Sequence, residues 1–288
     1  MTTLANGTDM TVIVLSFRAP PTLVAAVRSL LDQSPRPEVV VVNSGGGQAR
    51  RLLELTGIHV PVFEVAERLW PGAARNLGIR NANGSVIAFL ADDCEAAPGW
   101  VARRLVLHRA GQVAVASALM SDDPSNVIAL ASHIGLFSRR MPTCPPERVL
   151  VYGLSFDRTV FHKYGLFRED LRAGEDTEFS QRVSATVPPL WAPDIVTVHR
   201  SPTTLRAFMN DQFRRGGRSA RVWENLTGRK PPSVAGAALR RIADTMRLAP
   251  RVLDARQRMR LPVIAVLVVA GAVAYAAGAL RSSRADED

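Results

Sequence analysis

Short apolar runs rich in β-branched residues alternate with segments of helical periodicity over the first hundred residues. The apolar runs predict four strands, at residues 11–17, 38–44, 60–65 and 85–91. The segments between them predict three helices, at residues 20–33, 48–57 and 71–82. Strands that alternate with helices at this spacing pair in parallel and are covered on both faces. We therefore predict an α/β fold with a mostly parallel sheet flanked by helices.

The pattern is mainly helical in the last third of the chain. Residues 173–183 indicate a loop that enters a helix, and residues 189–199 indicate an extended stretch. Residues 203–223 predict a basic helix that is ended or bent by its Gly-Gly pair. A further helix over residues 237–248 has an apolar face beneath a basic side. That helix suits either a membrane surface or packing on the rest of the protein.

Residues 261–280 form a run of twenty residues without a charge, which is roughly the length needed to cross a hydrocarbon core. The run predicts a transmembrane helix, and the alternative is a buried core helix. Just before it, residues 200–260 hold 15 Lys/Arg against 4 Asp/Glu, whereas residues 1–199 hold 19 of each. By the positive-inside tendency, the large N-terminal part of a single-pass membrane protein then lies in the cytoplasm. We expect the basic residues to meet anionic lipid rather than nucleic acid.

The N-terminus and the cysteines add two smaller predictions. The first ten residues have neither a basic start nor a long apolar run, so we predict no signal peptide. Cys94 and Cys144 are too few for a disulfide framework and lack the spacing of a metal site. Both cysteines fit a reducing compartment.

Polar residues stand where the predicted strands end, which is where ligands collect in parallel sheets. Asp92 and Asp93 come directly behind the fourth apolar run, and they predict either a metal site or a polar turn between strand and helix. The Gly-rich stretch at residues 43–47 has neither the GxGxxG spacing of a dinucleotide site nor the ending of a P-loop. Its glycines allow close backbone approach, which any tight turn also needs.

Four blocks of sequence, taken in order, resemble glycosyltransferase family 2, the nucleotide-sugar-dependent enzymes of the GT-A fold. The blocks are VIVLSFRAPPTLVAAVRSLLDQ, EVVVVNSGG, PGAARNLGIRNANGSVIAFLADDCEAAPGW and GLSFDRTVFHKYGLFREDLRAGEDTEFSQRV. The resemblance covers roughly residues 11–222. It implies a GT-A catalytic domain over residues 1–222. Charge and hydropathy then predict a basic juxtamembrane segment (223–260), the transmembrane helix (261–280) and a short polar tail (281–288).

The resemblance implies a divalent cation, Mg²⁺ or Mn²⁺, held by an Asp-x-Asp motif against the donor diphosphate. Hard oxygen ligands suit such a cation, which neutralises the departing diphosphate. Alignment on the Pro-Gly-Trp that follows places Ala91, Asp92 and Asp93 on the three positions. Asp93 is then the metal ligand, Asp92 contributes to donor binding, and the family's first carboxylate is missing at Ala91. His199 matches a position where some GT-A enzymes place a further metal ligand, and a hydrogen-bonded structural histidine is the alternative.

The resemblance also implies the catalytic pair and the donor contacts. Asp176 matches the general base of inverting members, which takes the proton of the acceptor hydroxyl, and Glu175 supports it. The alternative is that acids at a helix N-terminus only favour the helix dipole. The residues expected to contact the donor are Ser16, Phe17, Asn43, Arg75 and Asp92, and the alternative for Arg75 is an exposed arginine in a salt bridge. Asn43 replaces an aspartate that family members often use to read the base.

Taken together, the sequence predicts a membrane-anchored, metal-dependent, inverting glycosyltransferase. It would move one sugar from a nucleotide-sugar donor to a lipid-linked or glycan acceptor at the cytoplasmic membrane face. The alternative is a catalytically silent GT-A-like domain that binds a nucleotide or a partner there, which Ala91 and Asn43 favour. A nucleotidyltransferase is less well supported, because the first strand is not followed by a Gly-rich, basic phosphate loop.

Overall fold

The computed structural model describes residues 9–150, 154–227 and 233–284. The chain divides into two compact units. The first unit is formed by Met1–Ala118, Val151–Leu171 and Glu175–Val198, and the second by Leu119–Leu150, Arg172–Gly174 and His199–Asp288. The start of the chain, where no signal peptide is predicted, and the last four residues of the predicted polar tail lie outside the described residues.

The described residues include a sheet of eight strands in the order β3-β2-β1-β4-β7-β6-β8-β5. The strands are β1 (Met10–Phe17), β2 (Glu38–Ser44), β3 (Val62–Val65), β4 (Val86–Ala91), β5 (Cys94–Ala96), β6 (Ala114–Ser121), β7 (Leu154–Asp157) and β8 (Leu190–His199). The first four are the strands predicted from the apolar runs, and they pair in parallel. β7 runs antiparallel to both β4 and β6, so the sheet is mixed beyond its parallel half.

The described helices include seven at or near the predicted places and four that were not predicted. They are α1 (Thr22–Leu31), α2 (Ala49–Glu54), α3 (Pro71–Arg80), α4 (Trp100–Arg109), α5 (Val127–Phe137), α6 (Thr159–Tyr164), α7 (Glu175–Ser184), α8 (Leu205–Thr227), α9 (Val234–Val252), α10 (Ala255–Arg258) and α11 (Leu261–Arg284). Two short 3₁₀ turns lie at Ser138–Arg140 and Pro146–Arg148. The helix at 203–223 is not ended by its glycines, because α8 continues through both of them.

The core of the first unit has two clusters that use alternate side chains of the same strands. Val12 and Val14 of β1 pack with the buried face of α1, whereas Ile13 packs with α3 and α7. Successive side chains of a strand point to opposite faces, so a strand buried on both faces needs the continuous apolar run seen here. Both cysteines are free thiols and buried.

A half-buried histidine of the first unit makes its stability depend on pH. His108 of α4 bonds through Nε2 to the Ser155 hydroxyl at 2.8 Å, and the same hydroxyl accepts a bond from Arg104. Burial, and next the charge of Arg104, lower the pKa of His108 from 6.5 to about 4. Between these values the unfolded chain binds a proton that the folded chain does not, so acid favours unfolding.

We therefore expect the free energy of unfolding to fall by up to about 3 kcal/mol as the pH drops from 6.5 to 4 because of this group. His108→Gln should flatten that part of the pH profile, measured by urea unfolding followed by tryptophan fluorescence. His162→Gln, which removes an exposed histidine, is the matched control and should leave the slope unchanged. Equal slopes in wild type and His108→Gln would refute the assignment.

The second unit is a packed group of helices in which glycines bring two backbones together. A Cβ at Gly216 of α8 would overlap the Tyr275 carbonyl oxygen of α11, and a Cβ at Gly278 would overlap that of Phe213. Gly271 lies against the Phe208 ring, where a Cβ would be 2.6 Å from Cζ. Side chains of α5, α9 and α11, including Leu130, Leu248, Ile264 and Val268, form the core of this unit.

Gly216→Ala should lower the free energy of unfolding by about 1–3 kcal/mol, because α8 and α11 have to separate to admit the methyl group. Gly135→Ala in α5 makes the same change where the added Cβ meets nothing within 4 Å. It should raise stability by up to about 1 kcal/mol through helix propensity. Thermal unfolding of the two variants tests this contrast, and a stable Gly216→Ala protein would show that the helices are not in close contact.

α11 is long and apolar enough to cross a membrane by length and composition, over Leu261–Arg281. About a third of its most apolar window is buried against the rest of the protein. The other side carries exposed apolar side chains that recur at helical spacing, at Val263, Val266, Val273 and Leu280. The helix therefore has a packed face and an exposed apolar face.

Candidate active site

The carboxyl ends of β1, β2 and β4 meet at one edge of the sheet. The register places Ser16 beside Asn43, and Leu15 beside Ala91. The backbone N–H of Asp92 donates to the Leu15 carbonyl at 3.1 Å, and the Phe17 N–H donates to Asp92 Oδ2 at 3.2 Å. The structure therefore brings together four of the residues predicted to contact the donor.

The loop after β1 has a backbone shape that Asn43 holds in place. Arg18 and Ala19 both have positive φ angles, 62° and 47°, which residues with a side chain rarely adopt. The Ala19 N–H donates to Asn43 Oδ1 at 2.9 Å, and Asn43 Nδ2 donates to the Gly46 carbonyl at 2.9 Å. Asn43 is fully buried, so its amide is used for joining the two loops. Its contact with a nucleobase stays a prediction.

The glycines of the second loop are required by close approach. A Cβ at Gly47 would lie 2.7 Å from the Arg18 carbonyl carbon, and one at Gly45 would overlap the Phe17 ring. Phe17 itself is 40% exposed, and the Arg68 guanidinium lies 4.7 Å from its ring centroid. The edge of the sheet thus presents the Phe17 ring and the Arg68 guanidinium beside the buried Asn43 amide.

Asp92 and Asp93 differ in their surroundings. Burial raises the pKa of the Asp92 carboxyl, against the opposite effect of the Ser16 hydroxyl and the Phe17 N–H. Asp93 is half-buried, and its Oδ1 accepts a bond from the Cys94 thiol at 3.4 Å. The Asp92 carboxylate therefore bonds to the end of β1, while Asp93 is the second carboxylate of the motif.

The carboxylates present fit a cation only in part. Among the residues that the structure describes, no group of three or more His, Cys, Asp or Glu side chains could hold a metal ion. Mg²⁺ in phosphate-binding sites is commonly held by one or two carboxylates together with substrate phosphates and water. Asp93 would thus suit a cation that arrives with a diphosphate, and the described part of the chain offers no preformed cage for a metal alone.

Arg75 and Glu175, predicted separately and a hundred residues apart, form an ion pair. Arg75 Nη2 lies 3.1 Å from Glu175 Oε1, and the two side chains are only 16% and 5% exposed. The guanidinium lies 5.1 Å from the Phe89 ring centroid and 5.4 Å from that of Phe167, as expected for a planar cation packed on aromatic faces. Arg75 Nε is buried without a hydrogen-bond partner among the described atoms.

The electrostatics of Glu175 follow from this position. Burial raises the pKa of its carboxyl, the Arg75 charge opposes the rise, and the charge of Asp176 adds to it. Asp176 is less buried and sits in the first turn of α7, where its Oδ1 accepts the Thr177 N–H at 2.7 Å. A buried, paired carboxylate beside a more accessible one is an arrangement in which the second can exchange protons with a bound molecule.

His199 lies in the second unit, at the end of β8. Its ring packs against Phe137 at 4.8 Å and His133 at 6.4 Å between centroids, and its Nδ1 lies 3.4 Å from the Ser201 hydroxyl. It is buried, with 7% exposure. These contacts are those of a histidine inside a packed cluster, and its role as a metal ligand stays a prediction.

Sequence reasoning missed the residues that position Arg75. Asn76 Nδ2 donates to the Phe167 carbonyl at 2.9 Å, and the Phe167 N–H donates to Asn76 Oδ1 at 3.0 Å. A Cβ at Gly72 would overlap the Arg168 carbonyl oxygen, so α3 also lies directly on this segment. The available signal in the sequence was the Arg75-Asn76 pair at a helix start. The residue that Asn76 contacts, Phe167, is about ninety residues away in the sequence.

Solved structures with a similar fold support the family resemblance. A mannosyltransferase from Pyrobaculum calidifontis, in complex with GDP-Man and Mn²⁺, has a TM-score of 0.61 and 17% identity, over 98% of this chain and 88% of that one. Staphylococcus aureus TarS 1–349, in complex with UDP-GlcNAc, has a TM-score of 0.53 and 12% identity, over 96% and 92%. At these identities the likeness concerns the fold, which is the GT-A type of glycosyltransferase.

The family itself follows from the sequence match. The model of Glycosyl transferase family 2 matches residues 11–169, more than half of the chain, and the protein belongs to that family. Polypeptide N-acetylgalactosaminyltransferase 3 of Drosophila melanogaster is 24% identical over 218 residues, which are 62% of this chain. The aligned part spans a third of the length of that relative.

Proposed function

We propose that the protein is an inverting glycosyltransferase that transfers one sugar from a nucleotide-sugar donor to a lipid-linked or glycan acceptor. The observation that carries the proposal is the ion pair between Arg75 and Glu175 directly beside Asp176. The ion pair supports an arrangement in which the Glu175 carboxylate is fixed and the Asp176 carboxylate is accessible. The nucleotide-sugars bound to the similar mannosyltransferase and to TarS support the class of donor.

In this proposal Asp176 accepts the proton of the acceptor hydroxyl, and the oxygen of that hydroxyl attacks the anomeric carbon of the donor sugar. The bond between that carbon and the diphosphate breaks, and the nucleoside diphosphate leaves from the opposite face. Arg75 holds Glu175, which keeps the first turn of α7 in place. Ser16, Phe17, Asn43 and Asp92 shape the donor side.

A divalent cation, when bound, would supply positive charge against the diphosphate. Asp93 would hold it, and His199 stays a further ligand expected from the family resemblance. Because the described residues form no cage of three ligands, the cation is expected to bind together with the donor. Mn²⁺ alone should leave the thermal midpoint nearly unchanged, whereas Mn²⁺ with the correct donor should raise it.

We also propose that the enzyme is a single-pass protein of the cell membrane with its catalytic part in the cytoplasm. Support comes from the length and apolar composition of α11 and from the basic residues before it. The limits proposed are residues 1–222 for the catalytic part, 223–260 for the basic segment, 261–280 for the span and 281–288 for the tail. Membrane fractionation after alkaline carbonate washing tests this, and recovery in the soluble fraction would contradict it.

A donor screen tests the proposed function. The full-length protein is heated with UDP-, GDP- and dTDP-sugars, with and without Mn²⁺, and bound donor should raise the unfolding midpoint by mass action. Release of sugar from the stabilising donor is then measured. The absence of both binding and turnover across the panel would contradict the proposal.

The second candidate is a catalytically silent GT-A-like domain that binds a nucleotide or a partner at the membrane. Ala91 at the first acidic position favours it, and so does the use of the Asn43 amide for internal hydrogen bonds. Donor binding without turnover or sugar release would support this alternative.

A further inference from the structure

Arg182 of α7 binds two separate segments of the first unit through its guanidinium. Nε and Nη2 each donate to the Glu178 carboxylate at 2.9 Å, one turn earlier in the same helix. Nη2 also donates to the Leu166 carbonyl at 3.0 Å, and Nη1 donates to the Tyr164 carbonyl. All three nitrogens are therefore engaged, and two of these four bonds leave the helix. The sequence alone indicates only the ion pair, because charges four residues apart are common on solvated helices.

The two carbonyls that Arg182 binds lie on either side of a glycine that follows α6. Gly165 has a φ of 77°, which residues with a side chain rarely adopt. A Cβ added at Gly165 would lie 3.6 Å from Arg182 Nη1, so the guanidinium is in contact with this turn. A guanidinium presents its N–H donors in a rigid, planar fork. One side chain can therefore fix both the helix and the turn, which a flexible ammonium group does less well.

Aromatic rings join the same turn to α7 a second time. Phe167, the residue after Leu166, stacks on Phe179 of α7 with 4.3 Å between the ring centroids and 29° between the planes. Phe179 is fully buried, and the Arg182 guanidinium lies 4.9 Å from its ring centroid. The cation thus packs on one of the two stacked rings while it bonds to the backbone beside the other. These contacts make the turn and α7 one packed group.

The turn that Arg182 binds is also attached to the helix that carries Arg75. Phe167 bonds to α3 through both of its backbone groups, and its ring centroid lies 5.4 Å from the Arg75 guanidinium. Arg75 in turn pairs with Glu175, the first residue of α7. The helix is therefore held at its start through Arg75 and near its end through Arg182. Asp176 lies between these two attachments.

We infer that Arg182 is a positioning residue, which holds α7 and with it the Asp176 carboxylate in the geometry for proton transfer. The inference rests on the proposed function and adds a residue that the family motifs do not assign. A general base has to lie within hydrogen-bond reach of the proton that it accepts. A displacement of about 1 Å can lower a rate about a hundredfold. Six residues separate Arg182 from Asp176, about 9 Å along the helix, so Arg182 acts through α7 and not on the reacting atoms.

Arg182→Gln in the full-length protein tests the inference. The rate of sugar release from the stabilising donor should fall at least tenfold, while the donor dissociation constant stays within twofold of wild type. Arg182→Lys keeps the charge beside Glu178 but loses the planar fork, so it should recover part of the lost rate. A rate within twofold of wild type in Arg182→Gln would overturn the inference. So would a loss of donor affinity as large as the loss of rate.

Two control variants separate positioning from loss of charge and from loss of stability. Arg168→Gln makes the same change at an arginine of the neighbouring segment that is 46% exposed and paired with Asp170. Leu105→Ala removes a buried side chain of α4 from the other core cluster and destabilises the first unit without changing α7. Measured well below their unfolding midpoints, both should keep the rate within twofold of wild type. A loss in either control equal to that of Arg182→Gln would overturn the inference.

Hydrogen exchange separates this inference from the proposed function, because it needs no turnover. The amides of residues 179–182 bond to the carbonyls of the first turn of α7. Their exchange should be at least tenfold faster in Arg182→Gln, while the amides of α4 keep their wild-type rates. Faster exchange with no sugar release by wild type supports the attachment of α7 and contradicts only the proposed function. Unchanged exchange, with sugar release by wild type, overturns the inference and leaves the proposed function in place.

Discussion

Asp176→Asn should lower turnover by about 10²–10⁴-fold while donor affinity stays near that of wild type, because an amide cannot accept the acceptor proton. The substitution keeps the size of the side chain and an oxygen that can accept the Thr177 N–H. The measurements are the initial rate with the stabilising donor and the donor dissociation constant.

Asp170→Asn is the matched control for this variant. Asp170 is an exposed carboxylate paired with Arg168, six residues before Asp176, and its loss should change turnover by less than twofold. Normal turnover in Asp176→Asn would show that the base is elsewhere. A parallel loss of donor binding would show that Asp176 acts on the donor side or on local structure.

Arg75→Gln should cost both activity and stability, because it leaves the Glu175 carboxylate buried without its cation. Removing one partner of a buried ion pair typically costs about 3 kcal/mol or more. Without Arg75 the pKa of Glu175 rises further, since burial and the Asp176 charge are no longer opposed. We expect the unfolding midpoint in urea to fall clearly and the rate to fall by at least a hundredfold.

Three further variants show which property of Arg75 matters. Arg75→Lys keeps the charge and loses the planar contact with the two phenylalanine rings, so it should fall between wild type and Arg75→Gln. Arg75→Gln combined with Glu175→Gln should be more stable than Arg75→Gln alone, because the unpaired charge is gone. Arg80→Gln, in the same helix and at a half-exposed pair with Glu169, should change stability by less than about 0.5 kcal/mol. Equal effects at positions 75 and 80 would refute the role of the buried pair.

The parallel half of the sheet was predictable because its strands are buried on both faces and therefore read as continuous apolar runs. β6, rich in alanine and serine, and the four-residue β7 carry no such signal. Their positions in the sheet depend on long-range pairing, which also makes β7 antiparallel. The mixed character of the sheet therefore required the structure.

The site was predictable residue by residue but not as an arrangement. The family motifs identified Arg75, Glu175 and Asp176 separately, and no local pattern indicates that the first two form a pair. For Asn43 the resemblance predicts a contact with the base, whereas the structure shows two bonds to neighbouring loops. The family relation indicates which residues matter, and only the packing shows how each is held.

The glycine contacts between α8 and α11 have a practical consequence for handling the protein. Here a cut after Arg260 would also remove Ile264 and Val268 from the core of the second unit and uncover the surface around Gly216. A shortened protein should aggregate or lose that unit, so the protein is best prepared with α11 in place.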